Sequence, residues 1–176
     1  MREPPLKKLF ETKLTDTNSE DVEGVGVIRI DEHGNAYRWV KNRNATAFTA
    51  KQPVCYDVGN VGSVALYKSV NSPVAADLMV AAGVALTAIA ASGGICYGWV
   101  QVYGYCQDVR VTTPATGGDD IEVGSELVAV NAQTYLAYQG NAATAPIYSN
   151  FFIALETVAT ATGAAVATKD VMIKCL

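Results

Sequence analysis

From Gly24 onward, apolar residues fall at alternate positions or in short unbroken runs, the spacing of half-buried and fully buried strands. The clearest case is Val25-Gly-Val-Ile-Arg-Ile30, followed by Asp31-Glu-His-Gly-Asn35 and then Ala36-Tyr-Arg-Trp-Val-Lys41. This reads as a β-hairpin, with Gly34 and Asn35 supplying the positive φ of a tight turn. In its second strand Tyr37, Trp39 and Lys41 share one face, and Ala36, Arg38 and Val40 share the other. Further β-like runs follow at 54–58, 64–70, 84–90, 95–106, 109–113, 126–130, 135–138, 151–158 and 164–175, separated by Gly-, Pro- and Asn-rich breaks. Many short strands at this spacing predict an all-β fold, a compact β-sandwich or barrel-like domain. The Ala-rich pieces 74–82 and 142–145 have helical propensity, but Gly83 and Pro146 hold each to about a turn.

Residues 1–23 follow no such pattern. Two prolines, mixed charges and the polar run Thr15–Asp21 predict an extended N-terminal arm ahead of a β-rich domain spanning 24–176. Leu6, Leu9, Phe10 and Leu14 are its apolar anchors, able to line one side of a strap. An arm of this composition has no core of its own and orders only by lying on something else.

The run 95–106 carries a second candidate surface. In one extended strand Tyr97, Trp99, Tyr103 and Tyr105 point to one side, and Cys96, Val100, Val102 and Cys106 point to the other. The aromatic side fits a second core between sheets, a contact between subunits, a partner surface, or a platform that stacks ligands. Gly98 and Gly104 flank its centre and mark a bulge or a close approach of two backbones.

Composition narrows the function classes. The chain has 176 residues, a net charge of −4 and only 13 Lys and Arg residues, nine of them within 1–51. That is too little positive charge for a phosphate-tracking surface, so nucleic acid is excluded as a partner. From 52 to 168 the only basic residues are Lys68 and Arg110, set against eight acidic ones. A surface so poor in charge suits either contact with neighbouring subunits or a coat of Thr, Ser, Asn and Gly. The first ten residues show no export signal. The uncharged stretch 78–107 is broken by Gly83, Gly93, Gly94 and Gly98, so it reads as buried strands and not as a membrane span.

No residue set here assembles a catalytic or cofactor site. Cys55, Cys96, Cys106 and Cys175 form no C-x-x-C pair and have no nearby His, which argues against zinc and for reduced, half-buried thiols. His33, the one histidine, sits in the hairpin turn beside Asp31 and Glu32 and reads as a solvated turn residue. Asp119, Asp120, Glu122 and Glu126 match no calcium-loop spacing and read as the acidic face of a strand start. Neither Gly24-Val-Gly26 nor Gly93-Gly94 leads into a helix, so neither is a phosphate loop. The expectation is no enzyme, no cofactor and no metal.

Three stretches nevertheless carry a family resemblance. Gly26-Val-Ile-Arg-Ile-Asp-Glu-His-Gly-Asn-Ala-Tyr-Arg-Trp-Val-Lys-Asn42 resembles the opening hairpin of tailed-bacteriophage head decoration, or cement, proteins. Gly83-Val-Ala-Leu-Thr-Ala-Ile-Ala-Ala-Ser-Gly-Gly94 with Tyr97-Gly-Trp-Val-Gln-Val-Tyr-Gly104 is similar to a recurring stretch of the same virion proteins. Ile153-Ala-Leu-Glu-Thr157 and Val171-Met-Ile-Lys-Cys-Leu176 resemble their usual ending.

The resemblance implies a structural virion protein without catalytic activity. It would bind the outer surface of an icosahedral capsid, reinforce joints between major capsid subunits, and form a homo-oligomer, with a trimer favoured. It would reside in the host cytoplasm during assembly and then on the virion, with no nucleic-acid or membrane partner. The expected capsid or subunit interface comprises Leu6, Leu9, Phe10, Leu14, Tyr37, Trp39, Tyr97, Trp99, Tyr103 and Tyr105. Two alternatives stand beside it: another virion component, in the tail or head fibre, or a carbohydrate-binding β-module using the aromatic face.

Overall fold

The computed structural model describes residues 9–56, 69–71, 80–94, 96–112, 120–130, 133–138, 151–159 and 165–175. Among these there is no helix, and the fold is all-β, a closed barrel with additional strands outside it. The strands are β1 (Thr17–Asn18), β2 (Ile28–Ile30), β3 (Ala36–Asn42), β4 (Pro53–Tyr56), β5 (Ser69–Asn71) and β6 (Val80–Ala85). They continue with β7 (Tyr97–Thr112), β8 (Glu126–Ala129), β9 (Leu136–Tyr138), β10 (Phe152–Ala154) and β11 (Val166–Lys174).

Strand β7, 16 residues long, organises the rest. Its first half pairs with β3 (Trp39 opposite Trp99) and with β6 (Val84 opposite Gln101). Its second half pairs with β11 from Tyr103 to Thr112 and touches β9 at Val111. Two closed circuits of hydrogen-bonded strands therefore meet on it: β7-β6-β4-β5-β3 and β7-β11-β10-β8-β9. One continuous core runs through both, including Val40, Tyr56, Val100, Val102, Cys106, Leu127, Phe152 and Ile173.

The hairpin of β2 and β3 forms where its pattern predicts, with Arg29 opposite Tyr37, but in its turn Gly34 takes a positive φ (82°) and Asn35 does not. Asp31 closes the turn by accepting hydrogen bonds from the Asn35 and His33 main chains, the Asn35 side chain and the Tyr37 hydroxyl. Strand β3 is buried on both faces: Ala36 and Val40 enter the main core, and Tyr37 and Trp39 enter a second cluster outside it. Arg38, on the inner face, donates to the Tyr56 hydroxyl at 2.5 Å and lies over its ring.

Other boundaries differ from expectation. Two runs separated in the sequence pattern join in one strand, Tyr97–Thr112, because β7 continues through Asp108 in a left-handed conformation (φ 58°), where β11 shifts register between Lys169 and Val171. Part of the proposed helical turn 74–82 is strand instead: Val80, Ala81 and Ala82 belong to β6, where pairing with β4 and core burial override alanine's helical preference. Residues 74–79 and 142–145 lie outside the described residues. No described helix is long and apolar enough to cross a membrane.

Gly98 and Gly104 are both points of close approach. A Cβ on Gly98 would meet Ile89 Cδ1 at 2.8 Å, and one on Gly104 would run into the Asn35 side chain. All four cysteines are free and buried. Burial pushes the thiol of Cys55 up to about 12, and burial likewise pushes that of Cys106 to about 11 despite Lys51 Nζ at 3.9 Å.

The tightest backbone site is Gly83, at φ +133°, where a Cβ would fall on the Gln101 carbonyl oxygen of β7. Gly83→Ala is expected to lower unfolding free energy by about 3 kcal/mol or more, through backbone strain and overpacking together. Gly93→Ala, also at positive φ but facing open space, should cost about 1 kcal/mol. Urea unfolding midpoints of the two variants check the difference.

Candidate interaction face

The second cluster lies on the outer side of β3 and β7, where Tyr37, Trp39 and Trp99 are buried. They are covered by residues 9–23, so the described part of the segment read from sequence as an arm lies on its own barrel. Phe10 meets Trp99 edge-on at 5.6 Å between ring centroids, and Trp99 meets Trp39 edge-on at 5.3 Å. Tyr97, half-buried, stacks on Trp39 at 6.5 Å. Leu14, Val22, Val25, Val27 and Leu86 fill the remaining margin. Each aromatic pair contributes roughly 0.5–1.5 kcal/mol beyond its buried area.

Polar groups fix the segment in place. The Trp99 indole N–H donates to Thr12 Oγ1 at 2.9 Å, and Thr12 in turn donates its hydroxyl and its main-chain N–H to Glu23 Oε1 at 2.8 and 2.7 Å. The Trp39 indole donates to Asp21 Oδ1 at 3.0 Å, and Asp21 also caps the main-chain N–H groups of Gly24 and Val25. Arg29 donates to the Thr12 carbonyl at 3.1 Å, and its guanidinium lies 5.3 Å from the Phe10 ring centroid. Strand β1 completes the attachment by pairing Thr17 with Gly98 and Asn18 with Tyr97.

The ten interface residues expected from sequence thus fall into three groups. Phe10, Leu14, Tyr37, Trp39, Tyr97 and Trp99 come together beneath or within the segment. Tyr103 and Tyr105 are 42% and 43% exposed, on the far side of the β3–β7 bulge. Leu9 is 84% exposed, and Leu6 lies outside the described residues. The aromatic row is therefore divided: its first half is a second core and its second half is surface. Tyr105 donates to Asp170 and accepts from Gln107, so its ring edge is fixed by polar neighbours.

Sequence reasoning missed Ile28 and Ile30. On β3 the matching face is barrel core, but β2 lies beyond the barrel, leaving Ile28 39% and Ile30 67% exposed. Among the described residues β2 pairs only with β3, so its other edge is open. Bonds from Trp39 N to Val27 O and from Asp31 N to Asn35 O set the alternation. They leave the Ile28 and Ile30 main-chain groups facing outward. Leu9 and Ile30 border an open groove of about 690 Å³ between residues 9–15 and Arg29. The signal was present in the alternation Ile28-Arg29-Ile30, which places two isoleucines on one side of an edge strand.

No group of His, Cys, Asp and Glu among the described residues is placed to hold a metal ion. His33 is a turn residue with its side chain 76% exposed, 3.7 Å from Glu32. Asp119 lies outside the described residues, and Glu122 and Glu126 are exposed around the turn that Glu122 and Ser125 close. No protein-family model, curated protein or solved structure matches this chain.

Asp31 is the carboxylate on which the hairpin end depends. Burial acts to raise its pKa, but the bonds from Asn35, Tyr37 and His33 outweigh it and bring the value from 3.8 to about 2. Burial first, and then the bond to Asp31, push the Tyr37 hydroxyl up to about 12. A lowered folded-state carboxylate pKa stabilises above the unfolded value and is lost as pH falls through the folded one. Asp31 therefore contributes fully above about pH 4 and progressively less towards pH 2. Asp31→Asn should be less stable than wild type at neutral pH, with the gap closing between pH 4 and 2. Thermal unfolding of both proteins across that range measures it.

Proposed function

We propose that the protein is a structural virion component, a decoration protein that binds the outer face of an icosahedral phage capsid and reinforces joints between major capsid subunits. The observation that carries this reading is the apolar ledge of Ile28 and Ile30 along the edge of β2 that is open among the described residues, on a barrel whose core strands are largely enclosed. An open strand edge offers main-chain hydrogen bonds to a partner strand, and the two isoleucines offer burial beside it. Exposed apolar side chains beside an unpaired strand edge mark an interaction site. The acidic balance suits contact with an outer protein surface and disfavours the DNA-lined interior. The resemblance of the 26–42 hairpin supports the same assignment, since that hairpin contains the ledge.

Within this reading the ledge faces the major capsid protein, and the exposed Tyr103 and Tyr105 are available to neighbouring copies in a homo-oligomer. A carbohydrate-binding role is less well supported, because Trp99, the largest ring of the proposed platform, is buried beneath Phe10.

Mass spectrometry of purified particles of the encoding virus tests the proposal. The expected result is near one copy, or a simple fraction of one, per shell subunit. A handful of copies would move the assignment to a tail or fibre, and absence from the particle would remove it. The ledge has its own test. Ile28→Glu/Ile30→Glu should weaken binding to shells stripped of this protein by tenfold or more, about 1.4 kcal/mol. Its unfolding midpoint should match that of wild type.

A further inference from the structure

Residues 9–18 fill a cleft whose walls belong to Glu23, Arg29 and the outer faces of β3 and β7. The wall groups are the Trp99 indole N–H, the Arg29 guanidinium, the Glu23 carboxylate and the open edge of β7 at Tyr97 and Gly98. Each meets a main-chain group or a small hydroxyl of the segment, and the Trp99 ring takes Phe10 edge-on. The cleft thus holds a peptide that turns once, at Lys13–Asp16, where the Asp16 N–H donates to the Lys13 carbonyl and the Asp16 carboxylate accepts from the Lys13 N–H. It requires an aromatic ring at one position, a hydroxyl two residues on, and a pair of strand residues five further along. Phe10, Thr12 and Thr17–Asn18 of this chain satisfy that description.

The segment's grip is limited. Its strand is two residues long, Phe10 and Leu14 are only partly buried, and Leu9 is almost wholly exposed. Asp21 and Glu23 stay with the wall, through bonds to Gly24, Val25 and Trp39 and through near-complete burial of Glu23. The exposed pair Ser19–Glu20 is therefore the hinge. Lifting the segment there would uncover the Trp99 ring and its indole N–H, a surface that any identical segment could cover again.

We propose that this cleft is an exchange site: the 9–18 segment of a second copy of this chain occupies it in trans, with the same contacts, so that neighbouring copies swap straps. A strap exchanged between copies repeats every contact made within one chain, so exchange is close to neutral in contact energy. The balance is then set by concentration. A strap on a short tether holds its own cleft at an effective concentration in the millimolar range. Dilute chains are therefore closed on themselves, and crowded chains exchange. This inference does not depend on the capsid role.

Cross-linking at the Asn18–Tyr97 pair tests it, since antiparallel Cα partners lie within disulfide reach. In a Cys96→Ala background, the double variant Asn18→Cys/Tyr97→Cys should close a bond within the chain when dilute. This checks that the variant folds and that β1 meets β7. Full-length Asn18→Cys and Tyr97→Cys single variants are then mixed and oxidised at rising concentration. Exchange gives a disulfide-linked heterodimer in excess of both homodimers, growing as concentration approaches the millimolar range. No heterodimer excess at millimolar concentration, with the double variant closing normally, would overturn the proposal. A double variant that fails to close at any concentration would overturn the β1–β7 pairing, and the proposal with it.

Discussion

Everything in this fold depends on β7 being shared. A strand has two edges, and five other strands need them, so β7 divides its length: one half serves β1, β3 and β6 and the other serves β9 and β11. The left-handed conformations at Gly104 and Asp108 and the register shifts opposite them fall near and beyond the changeover. A β-bulge turns side chains and increases local twist. That is the geometric means by which one strand can belong to two closed circuits without leaving an edge uncovered. Among the described residues β2 is joined to the rest only through β3, and so it stands apart from both circuits.

Much of this was legible in the residues. Alternation in Val25–Lys41 located a hairpin, separated Tyr37 and Trp39 from Ala36 and Val40, and placed the two sets on different faces. The odd-numbered aromatics of 97–105 do lie opposite Val100, Val102 and Cys106. What alternation cannot supply is the partner of each face. Period-two spacing says that Trp99 and Tyr105 point the same way, but not that a strap covers one and solvent meets the other. That distinction comes from a segment about 90 residues earlier, whose polar run Thr15–Asp21 carries no period at all.

The same limit explains the missed ledge and the misjudged alanines. Ile28 and Ile30 look like core by spacing and would be core had β2 lain over the barrel. Val80–Ala82 look helical by propensity, and they form strand because β4 supplies hydrogen bonds and the core supplies burial. In both cases local chemistry was read correctly and tertiary position decided the outcome.

The buried cysteines have a consequence for how the molecule's motions can be followed. With the thiols of Cys55 and Cys106 held neutral by burial, the folded chain offers alkylating reagents almost no thiolate at these positions. Each thiol becomes reactive only when its own surroundings open. Cys55 sits on β4 in one circuit, Cys175 follows β11 in the other, and Cys106 lies on the strand they share. The chain therefore carries its own set of reporters, and the order in which they label under mild denaturant would show whether the two halves of the barrel breathe separately or together.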